Sequence, residues 1–261
     1  MVATRDRAHL LAGCLDALQL ALRPGDELLV VDSAGSDDAT RRLCEARGVQ
    51  VLRVDRPGTS RARNAGWRAT TAPLVAFTDD DCRPAPGWAE ALAGALAEHD
   101  LVTGRVVADR AVAAPVSLLD DPVARDLVEP YGHGANCALR RNLLERVGGF
   151  DERLGPGTPG RAAEDADLLR RALAAGARGR YEPAAVVVHQ QWRTRGQALR
   201  LSFEYGRGAT ASGVSLRQAF WRDALLAAGR DLRAGYVTGV AAGLLRAFGA
   251  VRGAARRRGR R

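Results

Sequence analysis

The chain has 261 residues, 46% hydrophobic and 26% charged, which allows a sizeable core and excludes a globally disordered chain. Its net charge of +9 is uneven: from Gln190 onward there are 15 Arg and 3 acids, against 24 basic and 27 acidic residues before it. Cys14, Cys44, Cys82 and Cys137 share no ligand spacing, which argues against a zinc-finger or disulfide framework and suits a reducing cytoplasm.

No secretory signal is read at the start, because Arg5, Asp6 and Arg7 precede any apolar run. The uncharged stretch Ala234 to Leu245 is too short and too rich in Gly to span a bilayer. In chain order, Met1 to Thr4 reads as the tail of a strand, and Leu10, Leu11, Leu15, Leu18 and Leu22 recur at helical spacing over His9 to Leu22. Glu27 to Asp32 reads as a strand ending in an acid, followed by a polar turn, a helix over Ala39 to Ala46 and a strand over Val49 to Val54. Alternation of strand and helix is the pattern of a doubly wound α/β sheet. Gly58 to Gly66 leads into a further helix, whose Arg61 and Arg63 suit either a phosphate or a solvated helix start.

Leu74 to Phe77 is an apolar run that ends in Thr78 and three carboxylates, Asp79, Asp80 and Asp81. Such closely spaced like charges repel unless a cation sits among them, and a strand's carboxyl end is where α/β sheets bind ligands. A hard divalent ion with a diphosphate fits this pattern; so does an acidic surface turn. His133 and Asn136 flank small residues in a stretch that suits ligand approach or a tight turn before a helix over Arg141 to Val147. Glu164, Asp165 and Asp167 precede or open a helix over Ala166 to Ala175, where capping alone would favour acids. His189 closes the apolar run Ala184 to Val188. Trp192, Arg193 and Arg195 suit either a lid over a diphosphate or a basic surface loop.

Taken in order, Val30-Val31-Asp32-Ser33-Ala34, Ala62-Arg63-Asn64-Ala65-Gly66 and Phe77-Thr78-Asp79-Asp80-Asp81 resemble the nucleotide-sugar half of the family 2 glycosyltransferases. Gly134-Ala135-Asn136, Gly148-Gly149-Phe150-Asp151-Glu152 and Glu164-Asp165-Ala166-Asp167-Leu168 resemble that family's acceptor half. The resemblance implies a GT-A fold, a Rossmann-like mixed and mostly parallel sheet flanked by helices, over residues 1–195; the apolar helical segments with scattered Arg after Gln197 read as a helical, Arg-rich extension over 196–261. It implies an inverting transfer of sugar from a nucleotide-diphosphate sugar, with Mg²⁺ or Mn²⁺ as cofactor. Asp79, Asp81 and His189 are the implied metal residues. Thr4, Arg5, Asp32, Arg63 and Asp80 fall near the nucleotide. Asp165 is the implied base, and Glu164, Asn136, His133 and Trp192 are placed with the acceptor. Asp81 and Asp165 would then face a common cavity from opposite sides. Ser33 departs from the second Asp common in the family, so the base of the donor stays open. The family's first strand is longer than Val2 to Thr4, and a version extended by apolar residues is expected to be more stable.

The basic end suits an anionic membrane surface, which would bring a cytoplasmic enzyme to a lipid-linked or envelope glycan on the inner face. No aromatic stacking platform or DNA-reading motif accompanies it, so nucleic acid is not expected as a partner. Two alternatives share the carboxylate-rich site: a nucleotidyltransferase-like enzyme on activated sugars, and a non-catalytic sugar-nucleotide or membrane-binding module.

Overall fold

The computed structural model describes residues 1–109, 119–128, 130–158 and 160–191, with 194, 196, 197, 200, 201 and 203 beyond them. The helical segments expected after Gln197, and Trp192, lie almost wholly outside these residues. Two compact units are distinguished: the sheet unit, Met1–Asp109, Ser117–Glu152 and Asp165–Gln190, and a second that includes Arg153–Glu164.

The sheet unit opens with β1 (Val2–Thr4), α1 (Ala8–Ala21), β2 (Leu29–Ser33), α2 (Ala39–Ala46), β3 (Gln50–Val54), α3 (Thr59–Arg68) and β4 (Leu74–Asp79). Next come β5 (Cys82–Pro84), α4 (Trp88–Glu98), β6 (Leu101–Ala108), β7 (Arg125–Leu127), β8 (Asn136–Arg140) and α5 (Arg141–Val147). The order ends with α6 (Glu164–Ala174) and β9 (Gly179–His189). The strand order is β3-β2-β1-β4-β8-β6-β9-β5, with β7 on β9. The first four run parallel. β8 is antiparallel to both β4 and β6, and β9 is parallel to β6 but antiparallel to β5 and β7. The fold is therefore a mixed α/β sheet with helices on both faces, in which the parallel half carries the early motifs.

The period-two alternation of β4 explains the two layers: Leu74 and Ala76 pack with α1 and α4 on one face, Val75 and Phe77 with α5 and α6 on the other. In α1, Leu10, Leu11, Leu15 and Leu18 form one buried stripe, each contributing roughly 2 kcal/mol of apolar burial. Trp88 at the start of α4 is buried and donates its indole N–H to Asn136 Oδ1 at 2.8 Å, tying that helix to β8.

α5 ends at Gly148 and Gly149, with φ of 78° and 72°, a left-handed conformation that favours glycine. A Cβ on Gly149 would also lie 2.5 Å from Asn64 Oδ1. That space is used: Asn64 Oδ1 accepts from Phe150 N at 2.9 Å while its Nδ2 donates to Phe150 O at 2.9 Å. Phe150 then stands edge-on to Phe77, with ring centroids 5.2 Å apart. Two motifs far apart in sequence, Arg63-Asn64 and Gly149-Phe150, are one packed joint.

β1 lies between β2 and β4, with Val2 opposite Val30 and Thr78. Below it a cavity of about 360 Å³ opens at the amino ends of β2 and β4, lined by Met1, Leu28, Leu29, Trp67, Leu74 and Val75. The α-amino group of Met1 donates to Ala76 O at 2.7 Å, and burial pushes its pKa down to about 6.

Candidate active site

The motif residues collect at the opposite end of the sheet from that cavity. Thr4 ends β1, Asp32 is next to last in β2, Asp79 ends β4 and His189 ends β9. Because β5 pairs antiparallel with β9, Cys82 lies opposite His189, and Gln190 N donates to Asp81 O at 2.8 Å. This pairing brings a histidine from late in the chain beside the acidic triplet.

The three carboxylates are held differently. Asp79 Oδ1 receives Nη2 of Arg63 at 2.7 Å; burial alone would raise its pKa, but the Arg63 charge and hydrogen bond hold it below the usual range. Asp80 is buried. Its Oδ2 accepts the Thr4 hydroxyl at 2.6 Å and its Oδ1 lies 2.8 Å from Nη2 of Arg7. Desolvation outweighs the Arg7 charge and, with Asp81 adding repulsion, pushes the Asp80 pKa up to about 7. Asp81 turns Oδ2 toward Nη1 of Arg7 at 3.4 Å and Oδ1 toward Nε2 of His189 at 3.7 Å.

Among the described residues, ligand atoms of Asp81, Cys82 and His189 lie within 4.8 Å of one another, and all three residues are buried. Burial holds the Cys82 thiol well above its ordinary pKa, and a soft sulfur ligand is a poor match for a hard ion. The fit to a divalent cation therefore rests on one carboxylate oxygen and one imidazole nitrogen, spaced as neighbouring ligands of one ion can be. Asp79, expected among the metal residues, is not in this group, and its Oδ1 is paired with Arg63.

Asp165 is the second residue of α6; its Oδ1 accepts Ala166 N at 2.7 Å and its Oδ2 accepts Gly134 N at 3.1 Å. Nδ1 of His133 lies 3.9 Å from the same Oδ2. Arg63 joins this carboxylate to the triplet: a Cβ on Gly134 would come within 2.6 Å of its Nη1, so the glycine lets the loop rest on the guanidinium. Asp79, Arg63, Gly134 and Asp165 thus form a continuous contact chain from the strand end to the helix start.

The family 2 glycosyl transferase model matches residues 1–148, more than half of the chain. The chain belongs to that family. It is 32% identical over 254 residues to the pre-mycofactocin glycosyltransferase of Mycobacterium tuberculosis (strain CDC 1551 / Oshkosh), covering 89% of this chain and 51% of that protein. It is 25% identical to glycosyltransferase AglE of Haloferax volcanii, covering 84% of this chain and 76% of that one. The family 2 chain thus spans about half the length of its mycobacterial relative. In fold it is similar to the mannosyltransferase PcManGT from Pyrobaculum calidifontis, solved with GDP-Man and Mn²⁺, at a TM-score of 0.63 and 21% identity over 96% of this chain and 85% of that one. It is also similar to S. aureus TarS 1-349 with UDP-GlcNAc, at 0.59 and 17% identity over 87% and 68%.

Within this family 2 chain the expected site residues are held in different ways. Asn136, placed with the acceptor, has no exposed surface; its amide nitrogen donates to the carbonyls of Arg105 and Ala185 at 2.9 and 2.8 Å, and its oxygen accepts from Trp88. It is a strut of the sheet, since a buried amide must spend its hydrogen bonds internally. Arg63 is buried against Asp79 rather than open at a helix start, and Arg61 pairs with Glu152 at 3.2 Å. Arg5 points to solvent, 3.5 Å from Asp6 and half exposed. Asp32 is buried, accepting Gly35 N at 2.9 Å and facing Arg53 at 3.2 Å, so it shapes the turn after β2. Glu164 is the first residue of α6, and Trp192 lies outside the described residues. Sequence reasoning missed the roles of Arg7, Arg53 and Trp88; Arg7 stands at the end of the shortened first motif, and Arg53 and Trp88 stand in none.

Proposed function

We propose that this chain is a Mn²⁺-dependent inverting glycosyltransferase that takes a sugar from a nucleoside-diphosphate donor. The contact chain from Asp79 through Arg63 and Gly134 to Asp165 carries the reading, because a transferase needs its leaving-group site and its base on neighbouring ground. Family membership and similarity to proteins solved with GDP-Man and Mn²⁺ or UDP-GlcNAc support it.

Asp81 and His189 would hold the ion, and the imidazole nitrogen favours Mn²⁺ over Mg²⁺, which prefers oxygen. When bound, the ion supplies positive charge that stabilises the departing diphosphate. Thr4, Asp32 and Asp80 line the nucleotide side, with Thr4 fixing the Asp80 carboxyl and Asp32 the adjoining turn. Asp165 takes the proton of the acceptor hydroxyl as its oxygen bonds to the anomeric carbon; the carbon–oxygen bond to phosphate breaks, and its electron pair leaves with the nucleoside diphosphate. His133 and Glu164 lie with Asp165 on the acceptor side, His133 through its position beside that carboxylate and Glu164 as its neighbour in α6. The basic tail would place residues 1–195 against an anionic cytoplasmic membrane surface carrying a lipid-linked or envelope glycan acceptor.

The test is incubation with a panel of UDP-, GDP- and dTDP-sugars, with and without Mn²⁺, followed by mass spectrometry. Release of free nucleoside diphosphate dependent on the ion is expected. Pyrophosphate release in its place, or no turnover and no donor binding, overturns the reading.

A further inference from the structure

Arg7 closes the shortened first motif, Val2-Ala3-Thr4-Arg5-Asp6-Arg7, and its guanidinium spans two of the three carboxylates: Nη2 lies 2.8 Å from Asp80 Oδ1 and Nη1 3.4 Å from Asp81 Oδ2. It sits between β1 and α1, at the N-cap position of α1, where its side chain makes no capping bond. Its side chain is 31% exposed, so the cation is anchored at the site and open to solvent at once. Asp81 faces two ways, with Oδ1 toward His189 and Oδ2 toward Arg7. A divalent ion between Asp81 Oδ1 and His189 would share that carboxylate with the guanidinium, and two cations on one carboxylate weaken each other's hold.

We propose that Arg7 is a displaceable counter-cation, which neutralises Asp80 and Asp81 before metal loading and then yields Asp81 to the ion and turns to the donor's diphosphate. The inference rests on the proposed donor reading and adds a residue to it. A guanidinium suits both partners, since its planar donors match a carboxylate and a phosphate alike. The exchange keeps the acidic site from carrying unbalanced charge in either state. Arg7 is a positioning residue in the first state and a diphosphate contact in the second.

The consequence has an unusual sign. Removing Arg7 takes away the ion's competitor and one of the donor's contacts together. Wild type and Arg7→Gln, each as the 261-residue chain, are titrated with Mn²⁺ alone, free ion being read by electron paramagnetic resonance, and then with UDP and GDP at saturating Mn²⁺ by calorimetry. Arg7→Gln is expected to bind Mn²⁺ up to about tenfold tighter and nucleoside diphosphate about tenfold weaker. A purely structural role would weaken both, and that result overturns the proposal, as does unchanged Mn²⁺ affinity. Should Arg7→Gln not fold, Arg7→Lys, which keeps the charge but loses the two-pronged contact, is expected to shift both affinities in the same directions by a smaller factor; no shift overturns the proposal. Wild type that binds neither Mn²⁺ nor nucleotide defeats the donor reading itself, whereas wild type that binds both while the variants match it defeats only the role of Arg7.

Discussion

Asp165 has both carboxylate oxygens on backbone N–H groups, one from its own helix start and one from Gly134. Asparagine in its place keeps the size and one acceptor but accepts no proton. Asp165→Asn is therefore expected to retain nucleotide affinity and lose transfer by about two to four orders of magnitude, read from initial rates beside a calorimetric titration. Gly134 supplies a second residue-level prediction. A methyl group there would lie 2.6 Å from Arg63 Nη1 and 2.9 Å from its Cζ, and Arg63 is itself buried against Asp79. Because the guanidinium has little room to retreat, Gly134→Ala is expected to cost about 1–3 kcal/mol of stability and to slow transfer, measured by denaturant unfolding and by rate. A substitution that leaves both unchanged would show the contact chain to be slack.

At the scale of elements, β1 is short but central. It carries Thr4 to Asp80 at its carboxyl end and leaves a buried α-amino group at its amino end. That amine has an ordinary pKa of 8.0 and is lowered to about 6 by burial, so between those values the unfolded chain holds a proton the folded chain does not. Stability must then rise with pH across this window, by about 3 kcal/mol in all, with the full cost present below the lower value and none above the upper. The Asp80 carboxyl, pushed up to about 7, titrates in the same range with the opposite sign. Comparing the free chain with an N-terminally acetylated one isolates the amine: urea unfolding at pH 6 and pH 8 should show a larger gain with pH for the free chain. An engineered apolar extension entering the cavity beneath Met1 should abolish this term as acetylation does, and raise the midpoint as well.

On the scale of the whole molecule, the site draws on the ends of β1, β2, β4 and β9, so a ligand bound there braces strands from both halves of the chain. On the proposed function, Mn²⁺ together with a nucleoside diphosphate would bind only the assembled sheet and should raise its stability by mass action, about 2.7 kcal/mol at a hundredfold excess over the dissociation constant. A thermal midpoint that rises with the pair and much less with either alone is the expected result. An unchanged midpoint with the pair would separate the strand ends from the binding site. Among the described residues no helix is long and apolar enough to cross a membrane.

The sequence by itself determined the periodic elements and the chemistry they carry. The leucine stripe located α1 to within a residue, α2 and α5 fell on their expected bounds, and the apolar runs before Asp32, Asp79 and His189 became β2, β4 and β9. These signals are local, because a helix or strand repeats over a few residues. The alanine-rich α4 and the strands β5 to β8 were not read, since their places depend on pairing with distant strands. Only the tertiary structure decided that His189 meets Asp81 across the β5–β9 pair, that Asn136 braces the sheet, and that Arg7 and Arg63 divide the carboxylates between them. Spacing along a chain fixes which side chains share a face; which charge lies next to which is fixed by strand order and by the desolvation that makes buried charges seek partners.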